Sequence, residues 1–390
     1  MRIVIGTLAL MLSSNMAAAS FTSCVADLRK LASKSGVGQE IVARAFDFTQ
    51  PNEKVLRLSQ VSPETKIPIW DYMAFLVDEQ RIADGRAMMR KHEATLRAAE
   101  QKFGVDRHVI AAIWGVESDF GREAGDNVLP HALATLACNG GRRVRFWRAE
   151  LIAALKLVER GDLKLADLKG SWAGAFGQTQ FIPSTYRRLA VDFDGDGRRD
   201  LVGSVADALG STGNYLRRTV WQKGQPWMIE VKVPAAYRGA SGRKRKATLS
   251  QWASRGVIRA DGAKLAGRAR AGLLLPAGSK GPGFLVFRNF DVIYSYNHAD
   301  SYALAVAHLA DRLAGGPALR TAWPTDDPGL SRAERRDLQK LLLTKGYEIG
   351  EPDGKIGPST RTAIAQAEQK LGLPATGRAG SRILKALRTP

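Results

Sequence analysis

The run Gly315-Gly316-Pro317, followed by Trp323-Pro324-Thr325-Asp326-Asp327-Pro328-Gly329, limits how this chain can fold more than any other feature. Proline lacks a backbone N–H and holds φ near −65°, and glycine loses more freedom than other residues when ordered, so neither helix nor strand passes easily through such a segment. The chain therefore divides into a body ending at Gly315, an exposed linker over residues 316–329, and a small domain over residues 330–390. That domain reads as three helices: Arg332 to Lys345 capped by Ser331, Ser359 to Leu371 after the turn Gly350-Glu351-Pro352-Asp353-Gly354, and a short closing helix from Ser381. In the body helical patterns dominate, and the clearest strand candidates are Phe284-Leu285-Val286-Phe287 and the stretch Trp227 to Val233. The expected class is mainly α (α+β), with a small β element.

The first residues show Arg2, an apolar run from Ile3 to Leu12, and Ala17-Ala18-Ala19, the pattern of an export signal over residues 1–19 with a mature chain beginning near Ser20. The apolar run is too short to span a bilayer. Phe21-Thr22-Ser23 ahead of Cys24 does not suit a lipoprotein signal, so soluble export is expected rather than a lipid anchor. Cys24 and Cys138 are the two cysteines. In an oxidising compartment they suggest one disulfide, the alternative being two free buried thiols. The formal charge of +20 over 390 residues implies acidic partners, and export argues against nucleic acid. Arg243-Lys244-Arg245-Lys246 is the one tight basic run and reads as a solvated loop. With 45% hydrophobic and 25% charged residues, bulk disorder is excluded.

Three stretches could carry chemistry. In Ala111 to Gly121, with Asp106 as N-cap, Ile110, Ile113, Trp114 and Glu117 fall at i, i+3, i+4 and i+7, which places an acid on the stripe that a helix turns inward. With Gly121 as C-cap, Glu117 lies in the last turn, where burial and the negative end of the helix dipole both favour the protonated carboxyl. The bland alternative is a glutamate that reaches solvent or pairs with Arg122 or Arg90. In Asp192-Phe193-Asp194-Gly195-Asp196-Gly197-Arg198-Arg199-Asp200, oxygen donors stand at loop positions 1, 3, 5 and 9, glycine stands at 6, and the Arg198 carbonyl stands at 7, as a calcium loop requires. Position 12 is Gly203, so the last ligand must come from further on, with Asp207 the nearest candidate. Ser171-Trp172-Ala173-Gly174-Ala175 through Gln180-Phe181-Ile182-Pro183-Ser184 combines small residues with neutral hydrogen-bonding groups, a mixture that suits sugars or simply a tight loop. Tyr294 through Tyr302 reads by itself as a helix N-terminus whose tyrosines pack.

Taken together and in order, Gly115-Val116-Glu117-Ser118 with Gly121, Ala134-Thr135-Leu136, Ser171 to Ala175, Gln180 to Ser184, the Asp192 loop, Gly281-Pro282-Gly283-Phe284, and Tyr296-Asn297 with Tyr302-Ala303-Leu304-Ala305-Val306 resemble the membrane-bound lytic murein transglycosylase B family. The resemblance spans about Phe21 to Gly315. The tail resembles the type 1 peptidoglycan-binding domain through Leu338-Gln339, Leu342, Gly346-Tyr347, Asp353-Gly354, Gly357-Pro358, Thr360 and Ala363-Ile364. The resemblance implies a lysozyme-like catalytic domain over residues 20–315 that cleaves the β-1,4 bond between MurNAc and GlcNAc without water. The product would carry a 1,6-anhydromuramic end, with Glu117 acting as acid and then base. By the same matching, Ser171, Gln180, Tyr215, Tyr296, Asn297, Tyr302 and, more loosely, Tyr72 line a sugar cleft. The expectation is a periplasmic monomer, peripheral to the membrane at most, whose partner is the peptidoglycan glycan strand. It would carry a structural calcium ion and no organic cofactor. The rival readings are a hydrolytic muramidase on the same scaffold and a non-catalytic wall-binding envelope protein.

Overall fold

A computed structural model of the chain describes residues 5–60 and 67–389. Of the expected export signal, residues 1–4 and the side chains of residues 5–19 lie outside what is described. The chain forms two compact units. One gathers residues 1–62, 94–103 and 113–215, and the other gathers residues 63–93, 104–112 and 216–390.

The first unit is helical and is built around Leu129–Cys138, where Leu129, Ala132, Leu133, Ala134 and Leu136 are all buried. A helix apolar on nearly every side must lie inside a bundle, and the helices Ile5–Lys34, Glu53–Ser59 and Val144–Glu159 pack around it. Cys24 and Cys138 are joined by a disulfide that ties the Ile5–Lys34 helix to the end of the central one. A two-stranded antiparallel ladder, β1 (Asn127–Val128) with β2 (Lys169–Gly170), leads the chain into the central helix.

The second unit contains an antiparallel sheet of five strands, β3 (Met228–Lys232), β4 (Lys246–Thr248), β5 (Ile258–Arg259), β6 (Arg270–Leu274) and β7 (Gly283–Val286), in the order β4-β6-β7-β3-β5. β7 is buried along its whole length at the centre of the sheet, which explains why its sequence is continuously apolar rather than alternating. Trp252, Leu273, Leu285 and Phe287 fill the core beside it. The basic run that read as a solvated loop leads into β4, and its ends are internally paired. Arg243 is ion-paired to Asp291 and Asp300 and stacked 3.6 Å above the Tyr294 ring, and Lys246 is paired to Asp291.

Two helices, Arg288–Tyr296 and Asp300–Leu313, follow the sheet, and the second packs against Ile69–Leu76 and Glu79–Lys91. The tail forms the helices Arg332–Thr344, Pro358–Lys370 and Ser381–Arg388 around Leu338, Leu342, Ile364, Ile383 and Leu387. Ser331 and Glu334 close a reciprocal capping box at the first of these. The segment 316–329 forms no helix or strand beyond one isolated bridge, and it is tied to the tail. Its Asp327 accepts from Arg378, Arg382 N–H and Ser381, and Gly329 bridges to Gly380 as an isolated antiparallel pair. The fold is thus mostly helical with a small sheet and a C-terminal helical module. Among the described residues no helix is long and apolar enough to cross a membrane.

Candidate active site

Glu117 sits one residue before the end of the helix Arg107–Ser118. Asp106 caps that helix, its carboxylate accepting from the N–H of His108 at 2.8 Å and from His108 Nδ1 at 2.9 Å. Ile110, Ile113 and Trp114 are fully buried, as the stripe predicts, and Glu117 is half-buried at its end. The helix stops in a left-handed turn that begins two residues earlier than the expected cap: Asp119 (φ 50°) and Phe120 (φ 59°) precede Gly121 (φ 87°). Left-handed backbone is unfavourable for residues with a Cβ and persists only where the surroundings over-determine it. Here they do. The Phe120 ring folds back edge-on to Trp114 at 5.5 Å, over Gly115, where a Cβ would lie 2.6 Å from the ring.

Gln178 is a residue that sequence reasoning left unassigned. Its side-chain oxygen accepts from Trp114 Nε1 at 3.1 Å, its amide donates to the Val202 carbonyl at 3.2 Å, and its own carbonyl accepts from Ser118 Oγ. Ser118 Oγ in turn accepts from Gly121 N–H at 2.9 Å. The last turn bearing Glu117 is therefore pinned on both sides by one buried amide. The one available signal was the glycine at 121, where a Cβ would come within 2.8 Å of the Gln178 oxygen.

Ser171 closes a tight turn, its Oγ accepting from Ala175 N–H at 3.0 Å, and Gly174 there (φ 83°) leaves room for Leu133. Gln180 is half-buried with φ 51°, and its amide donates to the carbonyls of Ala124 and Gly177 at 2.8 and 2.9 Å. Tyr215 packs its ring 5.9 Å from Phe181. Glu117, Ser171, Gln180 and Tyr215 all belong to the first unit, while Tyr72, Tyr296, Asn297 and Tyr302 belong to the second. Tyr296 ends one helix, Asn297 follows it, and Tyr302 lies in the first turn of the next. The Tyr296 and Tyr302 rings are nearly parallel, with centroids 6.5 Å apart. This joint between two helices differs from the single helix N-terminus read in the sequence. Tyr72 lies half-buried in the helix Ile69–Leu76.

Carboxylate oxygens of Asp192, Asp194 and Asp196 lie within 4.8 Å of one another. Asp192 also accepts from Gly195 N–H at 2.7 Å and Gly197 N–H at 2.9 Å, which curls the loop. Arg198 is exposed, with its N–H on Asp196 at 2.8 Å, and Asp200 accepts from Val202 and Gly203 N–H at 2.8 Å each. Asp207, expected as the last ligand, has a different task. It is fully buried, and its two oxygens accept from Phe193 N–H at 2.6 Å and Asp200 N–H at 2.7 Å, so it braces the loop from beneath. Burial raises its pKa, and those backbone donors oppose the rise. Three clustered acids with oxygen-only donors fit a hard divalent cation such as calcium.

Residues 20–311 match the transglycosylase SLT domain family, and residues 331–387 match a peptidoglycan binding domain family. Over 296 residues the chain is 32% identical to the membrane-bound lytic murein transglycosylase B of Escherichia coli K12, covering 73% of this chain and 81% of that protein. Among solved structures, SltB3 from Pseudomonas aeruginosa in complex with NAG-anhNAM-pentapeptide aligns at a TM-score of 0.75 and 41% identity, covering 95% of this chain and 99% of that one. The Escherichia coli lytic transglycosylase Slt35 in complex with calcium aligns at 0.66 and 30% identity, over 75% and 92% of the two chains. The chain belongs to the SLT transglycosylase family and is a lytic transglycosylase of peptidoglycan with a C-terminal peptidoglycan-binding domain.

Proposed function

We propose that this enzyme works in the periplasm, with residues 20–315 as its catalytic body and residues 330–390 as its wall-binding module, and that it cleaves the MurNAc–GlcNAc β-1,4 bond with Glu117 as the sole acid and base. The observation that carries the reading is the state of the neighbouring acid. Asp119 is ion-paired to Arg122 at 2.9 Å and stands in the left-handed turn beyond the helix, so it is poorly placed as a second catalytic carboxylate. Hydrolytic glycosidases use two carboxyl groups set about 5–9.5 Å apart. A single carboxyl suffices when the sugar supplies its own nucleophile. Protonated Glu117 gives its proton to the glycosidic oxygen as the C1–O4 bond breaks, with the N-acetyl group assisting. The carboxylate then takes the proton of the C6 hydroxyl as O6 bonds to C1, which regenerates the acid and leaves a 1,6-anhydro ring.

Ser171, Gln180, Tyr215, Tyr72, Tyr296, Asn297 and Tyr302 are proposed to bind the sugars, Ser171 and Asn297 orienting the acetamido group. Asp192, Asp194, Asp196, the Arg198 carbonyl and Asp200 would hold a calcium ion, whose charge offsets their mutual repulsion and stiffens the loop. The relative crystallised with calcium supports that assignment. Digestion of purified sacculi followed by mass spectrometry tests the reaction. Anhydro ends are expected, and reducing ends would instead identify a muramidase. Glu117→Gln should cut muropeptide release by about 10²–10⁴-fold with the fold retained, and unchanged release would remove Glu117 from the mechanism.

A further inference from the structure

The helix Ile69–Leu76 is too short to hold its shape in isolation, and the contacts that hold it come from far along the chain. Asp71, 5% exposed, receives Arg378 in a two-pronged pair, Nε to Oδ2 at 2.7 Å and Nη2 to Oδ1 at 2.6 Å. Its backbone carbonyl accepts from Arg335 Nη2 at 3.2 Å, and that guanidinium lies 4.5 Å above the Phe75 ring. Asp78, two residues beyond the helix and itself the N-cap of Glu79–Lys91, accepts from Arg332 Nε at 3.0 Å and Arg332 N–H at 3.1 Å. Between them Arg81 donates to the Leu76 carbonyl at 3.0 Å. The approach is close enough that a Cβ on Gly329 would stand 2.7 Å from the Asp71 Cα.

These are buried ion pairs with satisfied geometry, the kind whose rupture is costly because the surviving partner is left charged and dry. They bind the peptidoglycan-binding module, through the start of its first helix and the loop ahead of its last, to the segment that carries Tyr72. The same short helix supplies Ile69 and Trp70 to a cavity of about 740 Å³ that is also lined by His298, Asp300 and Ser301, which follow Tyr296 and Asn297 closely in the chain.

We propose that Arg378 and Arg332 are positioning residues for glycan binding: by clamping Asp71 and Asp78 they hold the Tyr72 helix, so the module sets the affinity of the sugar cleft in addition to any hold on the wall. The proposal rests on the reading that Tyr72 contacts glycan. A plain tether would alter capture of insoluble sacculi only, since it acts through local concentration. A clamp alters soluble substrate as well.

The test uses full-length protein and short soluble GlcNAc–MurNAc oligomers, with Glu117→Gln as the dead control. Arg378→Ala should raise KM by about tenfold while kcat changes less than threefold, and Arg378→Lys should recover part of the loss. In a Tyr72→Phe background the Arg378→Ala effect on KM should largely vanish, because both act through one side chain. Wild-type KM for Arg378→Ala, or fully additive losses in the double variant, would overturn the clamp even with Glu117→Gln inactive. An active Glu117→Gln would instead overturn the catalytic reading. Should Arg378→Ala fail to fold, Arg378→Lys and Arg332→Lys with the same KM comparison decide the matter.

Discussion

Asp311 offers a sharp test of burial energetics near the helix that carries Glu117. It lies part-buried in the helix Asp300–Leu313 and accepts from Trp227 Nε1 at 2.9 Å. Burial pushes its pKa up from 3.8 to about 7, the Trp227 hydrogen bond opposes this, and the charge of Asp106, the cap of the helix bearing Glu117, adds to it. A carboxyl with a raised folded-state pKa favours folding in its protonated form. Stability from this site is therefore complete below about pH 4, declines as pH rises toward 7, and is constant above that. The gap between 3.8 and about 7 corresponds to about 4 kcal/mol at 1.36 kcal/mol per pH unit, an upper bound because solvent screens a part-buried group.

Asparagine keeps an oxygen for Trp227 and cannot ionise. Asp311→Asn should then exceed the wild type in stability at pH 8, and the advantage should shrink by about 2 kcal/mol between pH 8 and pH 5.5. Urea unfolding of both proteins at the two pH values, followed by tryptophan fluorescence, measures it. An advantage that does not change with pH, or a variant less stable than the wild type at pH 8, would refute the reasoning.

Gly115→Ala should destabilise by about 1–3 kcal/mol, because the new methyl meets the Phe120 ring at 2.6 Å. Thermal melting checks the stability, and murein release should fall with it, since the displaced turn carries Glu117. Calcium should raise the melting temperature of the wild type and not of Asp192→Ala, and absence of a calcium-dependent shift in the wild type would retire the site.

Much of the architecture was written in local chemistry. Asp106 ahead of an apolar stripe specified a capped helix ending near Glu117, and Ser331 with Glu334 specified the start of the tail's first helix. The Asp192 loop curls as its alternating aspartates and glycines require. These features depend on residues within one or two turns of each other, so hydrogen-bond geometry and φ preferences decide them without help from the rest of the chain. The same locality explains what was misread. Asp207 looked like a ligand by its distance along the chain, yet its two oxygens hold loop backbone from below. Arg243 looked solvated until Asp291, Asp300 and the Tyr294 ring came to it from another element.

By itself, then, the amino-acid order determined the helices, the family and the carboxyl expected to do the chemistry, because capping, periodicity and motif spacing are short-range properties. Only the tertiary structure decided that Gln178 locks the end of the Glu117 helix and that Arg378 and Arg332 grip Asp71 and Asp78. Those contacts join residues 60 to more than 300 positions apart. A charged side chain carries no mark of its future partner. It is buried only where folding delivers an opposite charge with the right geometry, and that delivery is a property of the whole chain.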